Sequence, residues 1–284
     1  MGSLPAAKIT QWKHDGFLSP FPLLDETELA ACRQGVERYE TWLGAPINAD
    51  ANHKWRSMPY LLMPWAAALA RDSRILDRVE DLDLIGPDVL IFTSTFFIKE
   101  PHSPTIAAWH QDSTYYGLEP KEEVTVWVAL TEASEAAGCM DALPFRGKPR
   151  QLSHLSRVVE NSVNRAGQVI TEPLEEGSPV AMPLRAGWFS MHHGLCPHRS
   201  GPNTSSHRRI GLGLNYIPTH ARPSGSIRQA ALLVRGTDRY GNFEAAAWPA
   251  EELGKTEVAT HERAMGLYRD AYLEAEARHA KLSA

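Results

Sequence analysis

The stretch WHQDSTYYG at 109–117 puts an imidazole and a carboxylate, His110 and Asp112, two positions apart in a mostly apolar neighbourhood. On an extended segment a period of two aims both side chains the same way. Two such ligands and one further histidine make a facial triad of two histidines and a carboxylate, which holds non-haem Fe(II) and leaves coordination positions open. The chain has 12 histidines, so a His-x-Asp arises readily by chance and counts only in its context. The third ligand must come from a strand far along the chain. MHHGLCPHRSGPNTSSHRRIGLGLNYIP, at 191–218, offers His192, His193, His198 and His207, and residue type alone leaves that choice open.

The elements that would position these groups are legible as patterns. Asp25 followed by Glu28 reads as a capping box, after which Leu29, Cys32, Val36, Tyr39 and Leu43 recur at helical spacing up to Gly44. A second helical pattern runs over 65–82 and stops before Gly86-Pro87. VLIFTSTFFIK (89–99), VTVWVAL (124–130), GWFSMHHGL (187–195) and RRIGLGLNYI (208–217) then read as strands. From about Thr256 a helix is expected, with Val258, Met265, Tyr268 and Tyr272 on its apolar face. Helices, then strands, then a helix imply an antiparallel β architecture with flanking helices, not alternating βαβ units.

Alternation says which faces matter. Ile210, Leu212, Leu214 and Tyr216 share one face of their strand; Arg209, Gly211, Gly213 and Asn215 share the other. Val124, Val126 and Val128 likewise alternate with Thr125, Trp127 and Ala129. A solvated face and a ligand cavity both fit the polar sets, and the tryptophan favours the cavity. Arg209 then points into the cavity, where its fork would clamp a carboxylate, and Arg208 points outward. Ser200 would add a hydroxyl bond to that carboxylate, and Gly211 and Gly213 would leave room for it.

Composition excludes several classes. At 284 residues, 43% hydrophobic and 22% charged, the chain is an ordinary globular protein with mass for a sizeable core. A net charge of -5 gives no reason to expect nucleic acid or an anionic membrane as partner. Cys32, Cys139 and Cys196 are too scattered for a disulfide framework and fit a reducing cytoplasm. No apolar run reaches a membrane span. A small-molecule partner is expected, in a monomer or homodimer.

WHQD, then GCMDALP at 138–144, then HRSGPNTSSHRR at 198–209, together resemble the phytanoyl-CoA dioxygenase family of iron- and 2-oxoglutarate-dependent oxygenases, from about Val89 to Pro218. The resemblance implies a double-stranded β-helix, a jelly-roll or cupin-like core. It implies one domain over 1–284, with a helical part at 1–86, the jelly roll at 87–220 and C-terminal loops and helix at 221–284. By the family's spacing it selects His198 as third ligand, eleven positions before the cosubstrate-binding Arg209, and leaves His193 as a supporting or structural histidine. It puts Trp127 in the cosubstrate cavity and Thr95 against 2-oxoglutarate near the iron. Fe(II), 2-oxoglutarate and dioxygen are the implied cofactor and cosubstrates, and oxidation of a C–H bond in a small molecule, up to natural-product scaffolds, is the implied reaction. Asp112 fills the position that halogenating relatives leave small, which favours hydroxylation or another oxidation. A cupin-like metalloenzyme without a keto acid and a non-catalytic binding barrel are the alternatives. Lys54, Arg56, Tyr115 and Tyr116 flank the expected mouth. The chain departs from the family where Pro144-Phe145-Arg146-Gly147 replaces a Pro-Gly-Ser-His turn.

Overall fold

The computed structural model describes residues 3–145, 147–163, 166–174 and 178–282; Arg146 lies outside them. A seven-stranded sheet runs, in spatial order, Phe17–Pro22, Trp188–His193, Val124–Ala129, Arg209–Pro218, Val89–Lys99, Ala230–Arg235 and Glu244–Ala245. A four-stranded sheet runs Ala107–His110, His198–Ser200, Met140–Ala142 and Val180–Met182. Neighbours are antiparallel except Ala230–Arg235 with Glu244–Ala245. Side chains of both sheets line one cavity between them, the arrangement of a double-stranded β-helix.

The alternation sorts as the sequence indicates. Ile210, Leu212, Leu214 and Tyr216, with Val124, Val126 and Val128, join the main core beneath the helices Glu26–Leu43, Pro64–Ala70 and Ser73–Asp81, which contribute Val36, Tyr39, Leu69, Ile75 and Val79. Leu212 is wholly buried, so truncation to alanine would cost about 2–5 kcal/mol. A one-residue slip of this strand would turn Arg209 and Asn215 into that core, so the register against Val89–Lys99, Arg209 opposite Lys99 and Gly213 opposite Thr95, is strongly specified.

Three features depart from the sequence reading. The capping box forms, with Glu28 N–H donating to Asp25 Oδ1 at 2.8 Å and Asp25 N–H to Glu28 Oε2 at 2.9 Å. The helix expected over 65–82, however, is two, Pro64–Ala70 and Ser73–Asp81. Asp72 interrupts it by accepting from Arg74 N–H at 2.8 Å, a local bond that starts a new helix. The N-terminal part also carries the edge strand Phe17–Pro22, and the segment read as C-terminal loops carries Ala230–Arg235, paired to Val89–Lys99. Among the described residues no helix is long and apolar enough to cross a membrane.

Candidate active site

His110 ends its strand and His198 begins another, and the two are direct cross-strand partners. Their rings are 4.1 Å apart between centroids. Asp112 is not on the strand. The chain turns at this residue into helical geometry, φ -61 and ψ -41, ahead of the short helix Ser113–Tyr116. The carboxylate thus reaches the two histidines by a turn and not by strand periodicity. Asp112 Oδ1 lies 3.6 Å from Nε2 of both His110 and His198, and one ligand atom from each of the three residues lies within 4.8 Å of the others. Donors so spaced can each stand about 2 Å from a single ion.

The surroundings fix which atoms face that point. His110 Nδ1 donates to Ala108 O at 2.7 Å and His198 Nδ1 to Cys196 O at 3.0 Å. A carbonyl only accepts, so each proton sits on Nδ1 and each Nε2 presents its lone pair. Asp112 Oδ2 accepts from Thr125 Oγ1 at 2.7 Å and from His192 Nε2 at 3.0 Å, and Asn215 Nδ2 donates to Thr125 Oγ1 at 2.7 Å. That chain occupies one carboxylate oxygen and leaves Oδ1 for an ion. Burial, then neighbouring His192, lowers the affinity of His110 for a proton, although Asp112 opposes it; burial and His110 push His198 well down. Burial would raise Asp112, but His198, His192 and His110 together hold it well below the usual carboxylate range. Neutral imidazoles beside an ionised carboxylate are the donor forms a divalent ion takes.

Arg209 lines the same cavity as the cluster and is 4% exposed. Nη1 donates to Gly138 O at 2.5 Å, whereas Nε has no partner. Burial pushes its pKa down to about 10, and no carboxylate of the described residues offsets the charge. A buried, unmatched guanidinium is costly unless an anion completes it. Its guanidinium carbon lies 5.3 Å from the Trp127 ring centroid. Gly211 and Gly213 give their room to protein rings and not to a ligand: a Cβ on Gly211 would meet Trp127 Cζ2 at 1.8 Å, and one on Gly213 would meet Phe97 Cε2 at 2.9 Å. Ser200 lines the same cavity. Its hydroxyl accepts from Lys99 Nζ at 2.7 Å, which leaves its own proton free to donate.

The remaining candidates separate by cavity. Trp127 lines the Arg209 cavity, but Thr95 does not; it opens on a larger chamber of ≈ 770 Å³, with Phe97 on the boundary between the two. Lys54, Arg56, Tyr115 and Tyr116 all line that chamber, together with His110 and Asp112. Arg208 points outward as expected, and holds Glu40 through a fork at 2.8 and 2.6 Å and Glu100 at 2.9 Å. His193 is structural: its Nδ1 accepts from Leu195 N–H at 2.9 Å and its ring stacks on Trp12. His207 bonds Glu132 O at 3.1 Å, away from the site. Sequence reasoning offered His192 as a candidate ligand and put Thr125 and Asn215 on the polar strand faces, but it assigned none of the three a role in holding Asp112, and it missed Lys99. The alternation of Trp188, Ser190 and His192 against Phe189, Met191 and His193 carried a signal for the first.

The model of the phytanoyl-CoA dioxygenase (PhyH) family matches residues 12–211. Among curated proteins, the chain is 27% identical over 192 residues to a probable alpha-ketoglutarate-dependent hypophosphite dioxygenase of Stutzerimonas stutzeri, covering 66% of this chain and 61% of that protein. The match thus spans less than two thirds of that relative's length. It is 25% identical over 234 residues to an ectoine dioxygenase of Streptomyces avermitilis, 74% of this chain and 78% of the relative. Among solved structures, the apo form of the non-haem monooxygenase ThoJ superposes with a TM-score of 0.83 at 27% identity, covering 95% of this chain and 99% of ThoJ. With the family model covering most of the chain, and both the His110–Asp112–His198 cluster and Arg209 inside the matched span, the chain belongs to the phytanoyl-CoA dioxygenase family.

Proposed function

We propose that the protein is a ferrous-iron- and 2-oxoglutarate-dependent oxygenase that oxidises a C–H bond of an organic small molecule. In this reading His110, Asp112 and His198 hold the iron, and Arg209 with Ser200 holds the distal carboxylate of 2-oxoglutarate. When bound, the iron and the keto acid supply dioxygen activation coupled to decarboxylation to succinate. The chain's own part is placement. Thr125 and His192 keep one Asp112 oxygen turned away from the ion, Trp127 shields Arg209 from water, and Lys99 holds Ser200 toward the cavity. The sheet joins strands from 17–22 and 230–235, which supports reading the chain as one domain.

One observation carries the proposal: a buried arginine whose Nε has no partner lies in the same cavity as the three-ligand cluster. A metalloenzyme without a keto acid would need Arg209 in a structural ion pair, and among the described residues it has none. Asp112 occupies the position that a halide would need, so oxygen insertion or hydrogen removal is the expected outcome. The chamber of ≈ 770 Å³ is far larger than hypophosphite, so the substrate of that relative is not carried over. The test is succinate formation from 2-oxoglutarate with Fe(II) and oxygen, against an Asp112→Ala control. Slow turnover above the control is expected even without the true substrate; none above it, across a broad panel of added small molecules, would reject the activity.

A further inference from the structure

Gln111 stands between two of the three ligands, His110 and Asp112, and is 1% exposed. A glutamine amide offers two donor hydrogens and two acceptor sites, and here all four are used. Nε2 donates to the Arg150 carbonyl at 2.9 Å and to the Leu195 carbonyl at 2.5 Å. Oε1 accepts from Leu152 N–H at 2.7 Å and from Gln151 Nε2 at 2.8 Å. The backbone N–H of Gln111 donates to His154 Nε2 at 3.1 Å, an acceptor because His154 Nδ1 gives its proton to the Leu152 carbonyl at 2.8 Å. Three of the four side-chain partners are backbone groups, so the amide is pinned to the chain itself, at 150–152 and at 195.

The same two segments grip the residues that follow Asp112. Ser113 N–H and Oγ donate to the Gly194 carbonyl at 3.1 and 3.0 Å. Gln151 Nε2 donates to Thr114 Oγ1 at 2.7 Å, and Gln151 Oε1 accepts from Ser113 Oγ at 3.2 Å. The turn is therefore clamped on both sides of Asp112. Gln111 lines neither chamber of the site; it borders a separate pocket with Leu143 and Leu195.

The three ligands do not need this clamp equally. His110 and His198 lie on paired strands, and each ring is fixed by its own Nδ1 bond. Asp112 has left the strand, so its place depends on the backbone of the turn. Thr125 and His192 orient the carboxylate once it is there; the turn decides where it is delivered.

From these observations we infer that Gln111 is a positioning residue for the metal cluster: by tying the turn to the segments at 150–152 and 195, it brings Asp112 to His110 and His198. It acts through Asp112, and the inference rests on the ligand set proposed above. Calorimetric titration of the full chain with Ni(II) tests it, since this ion binds imidazole strongly enough to keep weakened variants measurable. Gln111→Met, of similar length and without the amide, should weaken binding at least about tenfold. In an Asp112→Ala background the same change should cost less than about twofold, because the ligand through which it acts is gone. Gln151→Leu, at a half-buried position, should weaken binding at least about threefold by removing part of the clamp. Tyr216→Phe deletes a buried bond to the Ala70 carbonyl on the core face of the sheet. It should lower the melting temperature and leave Ni(II) affinity within about twofold. Lower melting temperatures in Gln111→Met and Gln151→Leu with affinity within about twofold would overturn the inference, and so would an equal loss in the Asp112→Ala background. Unchanged affinity in Asp112→Ala itself would refute the ligand set and the inference with it, whereas a loss there beside an unaffected Gln111→Met refutes the inference alone.

Discussion

Nε2 of His192 lies 3.0 Å from Oδ2 of Asp112, on the oxygen that Thr125 Oγ1 also reaches at 2.7 Å. Two donors on one oxygen turn the other toward His110 and His198, so the carboxylate is oriented before any ion arrives. Such outer partners are worth about 10–100-fold in metal affinity. His192→Phe should therefore weaken Fe(II) binding about tenfold while leaving the ligand set intact, and His193→Phe should lower thermal stability with little change in iron affinity. Calorimetric titration with Mn(II) as a stable surrogate checks both.

Arg209 and Arg208 are neighbours with opposite duties. Arg209→Ala should raise the 2-oxoglutarate constant at least tenfold, since a charge-assisted fork is worth about 1.5–3 kcal/mol. Arg208→Ala should leave that constant within about twofold, yet lower the melting temperature by breaking the links to Glu40 and Glu100. Equal effects on cosubstrate binding would contradict the assignment of strand faces.

Lys99 is wholly buried, opposite Arg209 in the register, and its amino group donates to Ser200 Oγ at 2.7 Å and to the Gly201 carbonyl. Burial, reinforced by Arg209, pushes its pKa from 10.5 down to about 6. A lowered value means that the unfolded chain holds the extra proton between those limits, so this group makes the ligand-free protein more stable as pH rises through that window. Melting temperatures measured from about pH 6 to 9 should rise more steeply in the wild type than in Lys99→Met. The same variant should bind 2-oxoglutarate several-fold more weakly, because Ser200 loses the donor that positions it. Parallel pH curves for the two proteins would refute the assignment.

Gly211 faces the Trp127 ring so closely that an added Cβ would stand 1.8 Å from Cζ2. Gly211→Ala should cost about 1–3 kcal/mol through overpacking and, by displacing the indole from Arg209, should also weaken 2-oxoglutarate binding. Thermal melts paired with cosubstrate titration decide this. A stable variant with unaltered binding would show that the ring has room to move.

Much of this was legible in the residues, and the gaps have physical causes. Strict alternation in 209–217 separates the cavity face from the core face, because a buried sheet face leaves no other register. The pairing of His110 with Asp112 was legible, but its cause was misread: the aspartate converges on the histidine through a helical turn, and one sequence cannot show where a strand of four residues stops. His192 and Thr125 meet across two strands, so their joint hold on Asp112 needs the register, which no local pattern contains. Lys99 closes a strand read correctly, yet a lysine at a strand end ordinarily reaches solvent, and only the fold buries it. The break at Asp72 and the strands Phe17–Pro22 and Ala230–Arg235 depend on partners far along the chain.

The central claim is that His110, Asp112 and His198 hold iron while Arg209 holds a chelating keto acid beside it. Anaerobic absorption spectroscopy of the purified chain with Fe(II) and 2-oxoglutarate reads both at once. A weak visible charge-transfer band should appear in the wild type, vanish in His198→Ala, persist in His207→Ala, and require at least about tenfold more 2-oxoglutarate in Arg209→Ala. A wild-type sample without the band, or a band that survives His198→Ala and disappears in His193→Ala, would contradict the account.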